Sequence, residues 1–164
     1  MRVLMISDRY YPDNSGTSVR SIAFGEGLAK TGVDVHVATL ARLMVVGVSE
    51  EAIPEAYEVI KGVKVHRYAS QLKMFFSLLG LCRQQQFDLI HARGPRYGFI
   101  AYLLNIFLGI PFITELNYIL PQKNLIKRFL LIRALRASRR LIVLSNFARE
   151  WVLKDLDIPS ESVD

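Results

Sequence analysis

Val3-Leu4-Met5-Ile6-Ser7, the polar stretch Asp8 to Gly16, a run in which Ile22, Ala23, Leu28 and Ala29 recur at helical spacing up to Lys30-Thr31-Gly32, and then Val33-Asp34-Val35-His36-Val37-Ala38-Thr39 together decide the fold. A short, continuous apolar run is what a strand covered on both faces of a parallel sheet requires. A Gly-bearing loop, a helix with a glycine stop and a second apolar strand complete a βαβ unit, whose crossover is right-handed.

The same alternation continues outward. Residues 42–58 have no clean period and hold Pro54 and several acids, which predicts a loop. Gly62 to Tyr68 alternates at period two, as in a strand with one wetter face near a sheet edge. A helix is expected over Leu72 to Gln86 and a buried strand over Phe87 to Ala92. Arg93-Gly94-Pro95-Arg96-Tyr97-Gly98 then reads as a loop, Phe99 to Leu108 as an apolar helix, and Pro111 to Thr114 as a strand. Lys123 to Arg140 places seven Lys and Arg beside Leu125, Phe129, Leu130, Ile132 and Leu135, a basic helix with an oily side. Arg140 to Ser145 is the last strand, and Asn146 is placed to cap a helix from Phe147 to Leu156. Strands alternating with helices give an α/β fold with a doubly wound, mostly parallel, Rossmann-like sheet.

At 164 residues and 51% apolar composition the chain suits one domain with a sizeable core. Its net charge of +6 favours anionic partners without choosing among phosphates, nucleic acid and anionic lipid. Cys82 is the single cysteine, sits among Leu79, Gly80 and Leu81, and reads as core filling in a reducing compartment. The first apolar run meets Asp8 and Arg9 too soon for a signal peptide, which points to the cytoplasm. Gly98 to Thr114, the longest oily stretch, is interrupted by Asn105 and Pro111 and falls short of the roughly 20 residues a membrane span needs.

In an open parallel sheet, ligands bind beyond the carboxyl ends of the strands. Four polar loops are expected to converge there: Asp8 to Gly16, Arg93 to Gly98, Glu115-Leu116-Asn117-Tyr118, and Ser145-Asn146. Gly16 leads straight into a helix, so backbone N–H groups and the positive helix end can meet a phosphate; the same loop also serves as a plain helix cap. There is no Gly-x-Gly-x-x-Gly after the first strand and no Gly-x-x-x-x-Gly-Lys-Ser/Thr, which leaves a dinucleotide site or a P-loop without support. His36, His66 and His91 fall on separate strands and read as structural, with His91 near a strand end where it can orient a neighbour; nothing has the spacing of a metal site.

Taken together these phrases resemble the amino-terminal domain of retaining glycosyltransferases of the GT-B type, the large family of lipopolysaccharide, mannosyl and capsule transferases. The matching residues are Tyr11-Pro12 and Ser15-Gly16, where the family usually has a Gly-Gly pair, and Gly25-x-Gly27-Leu28-Ala29-Lys30-x-Gly32-x-Asp34-Val35-x-Val37. Phe87-Asp88-Leu89-Ile90-His91-Ala92-Arg93, Gly109-Ile110-Pro111, and Ala137 to Ser145 leading to Ile158-Pro159 complete them. Similarity runs over nearly the whole chain.

The resemblance implies that residues 1–164 are the acceptor-side half of such an enzyme, without the carboxyl-terminal domain that holds most of the donor. It implies transfer of a sugar from a nucleoside diphosphate to a hydroxyl of a glycan or lipid-linked acceptor, with retention and without a cofactor or metal, in cell-envelope polysaccharide synthesis. The isolated half is expected to be inactive. Sugar nucleotides, not nucleic acids, are the implied partners. Ser15 and Gly16 would meet the donor diphosphate. Arg93 stands where many relatives carry a sugar-contacting histidine; it offers charge and hydrogen bonds but is no base. Glu115 would share the catalytic side with it, while Asn117 and Arg96 would face the acceptor. Glu115 and Asn117 have a plainer alternative as a solvated loop cap.

The helix bearing Lys127, Arg128, Arg133, Arg136, Arg139 and Arg140 suits either a solvated charged face or peripheral docking on anionic lipid at the inner face of the membrane. A non-catalytic partner that recruits the other half of a split glycosyltransferase is the alternative function, and a flavodoxin-like or nucleotide-binding regulatory domain is a third.

Overall fold

A computed structural model describes residues 1–13, 15–41, 55–116 and 124–164. The chain divides into two compact units, Met1–Asp88 and Leu89–Asp164.

The first unit contains β1 (Arg2–Ile6), α1 (Gly16–Lys30), β2 (Asp34–Leu40), β3 (Tyr57–Ile60), β4 (Val63–Tyr68) and α2 (Gln71–Gln84). β1 runs parallel to β2 with Val3 opposite Val35, and β2 runs parallel to β4 with Val37 opposite Val65. β3 is antiparallel to β4. Lys61 and Gly62 join them with φ of 47° and 84°, the two positive values that a tight two-residue hairpin needs. One sequence expectation changes here: Tyr57 and Glu58, assigned to the loop over 42–58, open a strand, whereas residues 42–54 lie outside the described set. β4 alternates between buried and half-buried residues and lies near the edge, as its period-two pattern predicts, with β3 beyond it.

The core of this unit joins Met5, Val35, Val37, Val63 and Val65 to Tyr10, with Ile22, Leu28 and Ala29 of α1 packed on it. Each fully buried aliphatic side chain contributes about 1.5–3 kcal/mol. The innermost stripe of α1 is unexpectedly small and polar: Ser18, Ser21 and Gly25 are buried, and Ala23 faces water. Bulk is excluded at Gly25 because a Cβ there would come within 2.8 Å of the Tyr10 hydroxyl oxygen. α2 starts at Ser70, whose hydroxyl accepts the Lys73 N–H, and buries Met74, Leu78 and Cys82 at four-residue spacing. Burial pushes the Cys82 thiol up to about 12, as befits core filling.

The second unit contains β5 (Leu89–Arg93), α3 (Pro95–Leu108), β6 (Phe112–Leu116), α4 (Leu125–Ala137), β7 (Leu141–Val143) and α5 (Asn146–Asp155), followed by a short 3-10 turn over Ser160–Ser162. β5, β6 and β7 are parallel neighbours in that order. Leu116, Leu131, Leu135, Leu141, Val152, Leu156, Ile158 and Val163 form the core around β7.

α3 begins at Pro95, four residues before the expected Phe99. Gly94 takes φ 104°, and Pro95 stands in the first turn, where its missing N–H costs nothing. The helix ends at Gly109 in the left-handed region, with the Asn105 side chain donating to Ile110 O at 3.0 Å. α5 is capped by Ser145, whose hydroxyl accepts the Ala148 N–H at 3.1 Å; Asn146, the expected cap, is the first helical residue instead. Among the described residues no helix is long and apolar enough to cross a membrane.

Candidate functional site

The carboxyl end of β1 leads into a loop stitched by buried polar groups. Asp13, 2% exposed, accepts the Ser15 N–H at 2.7 Å and the Arg9 guanidinium at 2.9 Å. The Ser18 hydroxyl donates to Asp13 O and Ser15 O. From below, the buried Arg67 of β4 donates to Tyr11 O at 2.6 Å and to Glu55 O at 2.9 Å, and pairs with Glu58. Burial disfavours the charged Asp13 carboxylate, but the bonds from Ser15 and Arg9 outweigh it and hold its pKa below the usual value.

At the end of this scaffold sit Ser15 and Gly16. Ser15 precedes α1 in an extended conformation but makes no side-chain cap bond, unlike Ser70 and Ser145 before α2 and α5; its hydroxyl lies 3.2 Å from that of Thr17. Gly16 is the first helical residue. Its φ is not positive, and among the described residues a Cβ there would meet, beyond its chain neighbours and its own helix backbone, no atom within 4 Å. Neither backbone conformation nor internal packing therefore requires a glycine at this position.

In the second unit, the parallel register sets Arg93, the last residue of β5, opposite Glu115 of β6. Arg93 Nε donates to Glu115 Oε2 at 3.1 Å and Nη2 to Oε1 at 3.0 Å, a two-pronged pair with side chains only 2% and 0% exposed. His91 Nε2 is 3.5 Å from Glu115 Oε2. The Gly94 N–H donates to Glu115 O at 2.7 Å, which locks the start of α3 onto β6. Such an arrangement holds a permanent cation at a strand end in fixed orientation, and it engages both carboxylate oxygens of Glu115.

A fold of this kind has many uses, and its sequence decides among them. Residues 14–164 match the family model for Glycosyltransferase Family 4. The chain belongs to Glycosyltransferase Family 4. No curated protein matches the sequence.

Solved structures agree on the fold of this family 4 domain. Sucrose-phosphate synthase from Thermosynechococcus elongatus superposes with a TM-score of 0.67 and 13% identity, covering 93% of this chain and 44% of that one. A glycosyltransferase from Rickettsia africae gives 0.69 and 13%, with 99% and 41% covered. Anabaena HepE, solved in complex with UDP-glucose, gives 0.64 and 14%, with 100% and 43% covered. The chain thus spans less than half the length of each, and its fold is that of the amino-terminal GT-B half.

The remaining expected site residues of the family 4 domain are distributed as follows. Arg96 lies in the first turn of α3, exposed, and not in a loop. Glu115 is a strand residue buried under Arg93, which removes its alternative as a solvated loop cap. Asn117 lies outside the described residues.

Sequence reading missed three groups. Asp13 and Arg67 carry the first loop, yet neither stands in a recognisable motif. His36 and His66 stack at 5.3 Å between ring centres, with Nδ1 of one 3.1 Å from Nε2 of the other. Burial, then Lys64, His66 and Arg2 against the opposing Asp34, bring the His36 pKa down to about 4. Asp34 takes hydrogen bonds from Arg2 and Lys64 at 2.8 Å each, so this cluster marks the amino ends of β1 and β2, away from the strand ends where ligands bind.

Proposed function

We propose that this family 4 domain is the acceptor-side half of a glycosyltransferase that moves a sugar from a nucleoside diphosphate to a hydroxyl of a glycan or lipid-linked acceptor, with retention at the anomeric carbon. The observation that carries this reading is Gly16: the first residue of a helix whose serine cap spends no hydroxyl on it, with open space where a side chain would stand. A helix amino terminus left in this way draws an anion, and only the absence of a Cβ lets a diphosphate approach the backbone. Negative charge grows on that diphosphate as the leaving group departs, so stabilisation there lowers the barrier to transfer. HepE, bound to UDP-glucose, supports a sugar-nucleotide donor.

Ser15 and Gly16 then serve the donor phosphates. Arg93 supplies fixed positive charge on the sugar side, and Glu115, with both oxygens on Arg93, orients it. Arg96 and Asn117 face the acceptor. A second Rossmann-like domain, outside these 164 residues, grips the nucleotide. The mutual burial of Arg93 and Glu115 also favours a second reading, a non-catalytic partner of a separate donor-binding chain.

A polypeptide joining this domain to a carboxyl-terminal GT-B half, assayed for radiolabelled sugar transfer to a lipid extract, tests the enzymatic reading. Incorporation that falls when Gly16 is enlarged supports it. Neither transfer nor sugar-nucleotide hydrolysis with any common donor overturns it.

A further inference from the structure

His36 and His66 stand on neighbouring strands, diagonally across the register in which His36 faces Lys64 and Ala38 faces His66. Their rings are nearly parallel, and His36 Nδ1 is 3.1 Å from His66 Nε2. His36 Nε2 faces Asp34 Oδ1 at 3.4 Å, which favours a proton on Nε2 and leaves Nδ1 to accept the His66 N–H. His36 is buried and His66 half-buried. Tyr57 of β3 tilts over His66 at 5.1 Å, and Phe87 meets the His36 ring edge-on at 5.1 Å.

The charges around the pair come from three strands. β1 brings Arg2, β2 brings Asp34 and β4 brings Lys64, with Asp34 bonded to both cations. β3 adds the Tyr57 ring, and α2, packed against β2 and β4, buries Met74, Leu78 and a Cys82 thiol that stays neutral. α1 lies on the other face of the sheet, against Val35, Val37, Val63 and Val65, which alternate with the histidines. Asp34, the carboxylate facing the pair, is thus already shared between two cations.

A hydrogen bond between two imidazoles survives a first proton but not a second, which would set two N–H groups against each other at 3.1 Å. Burial, then Lys64, lowers the His66 pKa, and burial weighs most on His36, whose pKa falls to about 4. β4 carries the consequence across the sheet. Arg67, the residue after His66, alternates to the opposite face, where it pairs with Glu58 and donates to Glu55 O and to Tyr11 O in the β1–α1 loop.

We propose that the His36–His66 hydrogen bond is an acid-sensitive latch between β2 and β4. With both rings charged it opens, draws Arg67 away from Tyr11 and loosens the loop that leads to Ser15 and Gly16. The device belongs to the fold and does not depend on the transferase reading. Because both folded-state values lie below the ordinary 6.5, the opened chain takes up protons first; the stability is whole above pH 6.5 and is lost as pH falls toward about 4. Asp34, held at about 2, begins to matter only below 3.8, outside this window.

The test is amide hydrogen exchange of the 164-residue protein, followed by NMR from about pH 7.5 to about pH 5 and corrected for the intrinsic pH dependence of exchange. Protection of the Arg67 N–H, bonded to Ala56 O, and of the Asp13 N–H, bonded to Tyr10 O, should fall at least about tenfold. The Gly94 N–H, bonded to Glu115 O in the second unit, should keep its protection. In the His66→Gln variant the side-chain amide does not titrate and can donate to His36 Nδ1 or accept from it, so the fall should be less than about twofold. Constant protection in the parent, or an equal fall in the variant, would overturn the proposal. Should the variant fail to fold, the ring-proton shifts of the parent decide. A His36 ring still uncharged at about pH 5.5 supports the latch, and both rings taking up protons near 6.5 with protection intact overturns it.

Discussion

Two passages from strand to helix, one in each compact unit, are built in opposite ways. From β1 to α1 the described loop residues, Ser7 to Asp13 and Ser15, are held from inside by Asp13, Arg9, Ser18 and Arg67, and lead to a glycine over which no other described part of the chain packs. From β5 to α3 it turns on the single residue Gly94, over a buried Arg93–Glu115 pair. In the second passage Gly98 is pressed against β6, where a Cβ would come within 2.9 Å of the Thr114 methyl carbon. One passage spends its polar groups on shaping a loop around open space; the other spends them on closing a core. A glycine therefore means different things in the two places: at Gly98 it allows close packing of helix on strand, and at Gly16 we propose that it allows approach by a ligand.

The comparison is broken most forcefully at Glu115. The Glu115→Ala substitution strands a buried guanidinium and should cost about 3–5 kcal/mol in urea unfolding; a loss under about 1 kcal/mol would mean that the pair is not buried as described. The Gly98→Ala variant comes next, with about 1–3 kcal/mol from overpacking against Thr114, measured in the same way.

At the first passage the effects are smaller and depend on pH. Because the folded-state pKa of Asp13 is depressed, the stability it contributes is fully present above the ordinary value of 3.8 and is lost as pH falls through the folded value. The Asp13→Asn variant should lose about 1–2 kcal/mol at neutral pH, and its stability should fall less steeply than that of the parent below pH 3.8, as followed by chemical denaturation across acid pH. Smallest of all, Gly16→Ala should leave stability within about 0.5 kcal/mol of the parent. A penalty there as large as at Gly98 would erase the contrast.

Much of this architecture was legible in residue patterns. β1, β2 and the strands leading to Arg93 and Leu116 announce themselves as apolar runs, and the helix stop at Lys30-Thr31-Gly32 is standard chemistry. β3 escaped because a four-residue strand with Tyr57 and Val59 turned to water follows a stretch with no period. The start of α3 escaped because Gly94-Pro95 is turn chemistry in most settings, and only the positive φ of Gly94 makes it a helix entrance.

The site was legible as loops but not as contacts. Arg93 and Glu115 are 22 residues apart, and their pairing exists only through the β5–β6 register. The His36–His66 stack depends in the same way on the register of β2 and β4. No spacing along the chain reports a lateral register, and for that reason Glu115 reads as a loop carboxylate until the strands are assembled.

The central claim is that Gly16 is a glycine for the sake of a ligand and not of the fold. The most direct test is to place Gly16→Val in a polypeptide that also carries the donor-binding half, and to measure both the unfolding midpoint and the kcat/KM for the sugar nucleotide. An unchanged midpoint with a loss of at least about tenfold in kcat/KM is the predicted result. Unchanged kcat/KM in a folded Gly16→Val enzyme would contradict it.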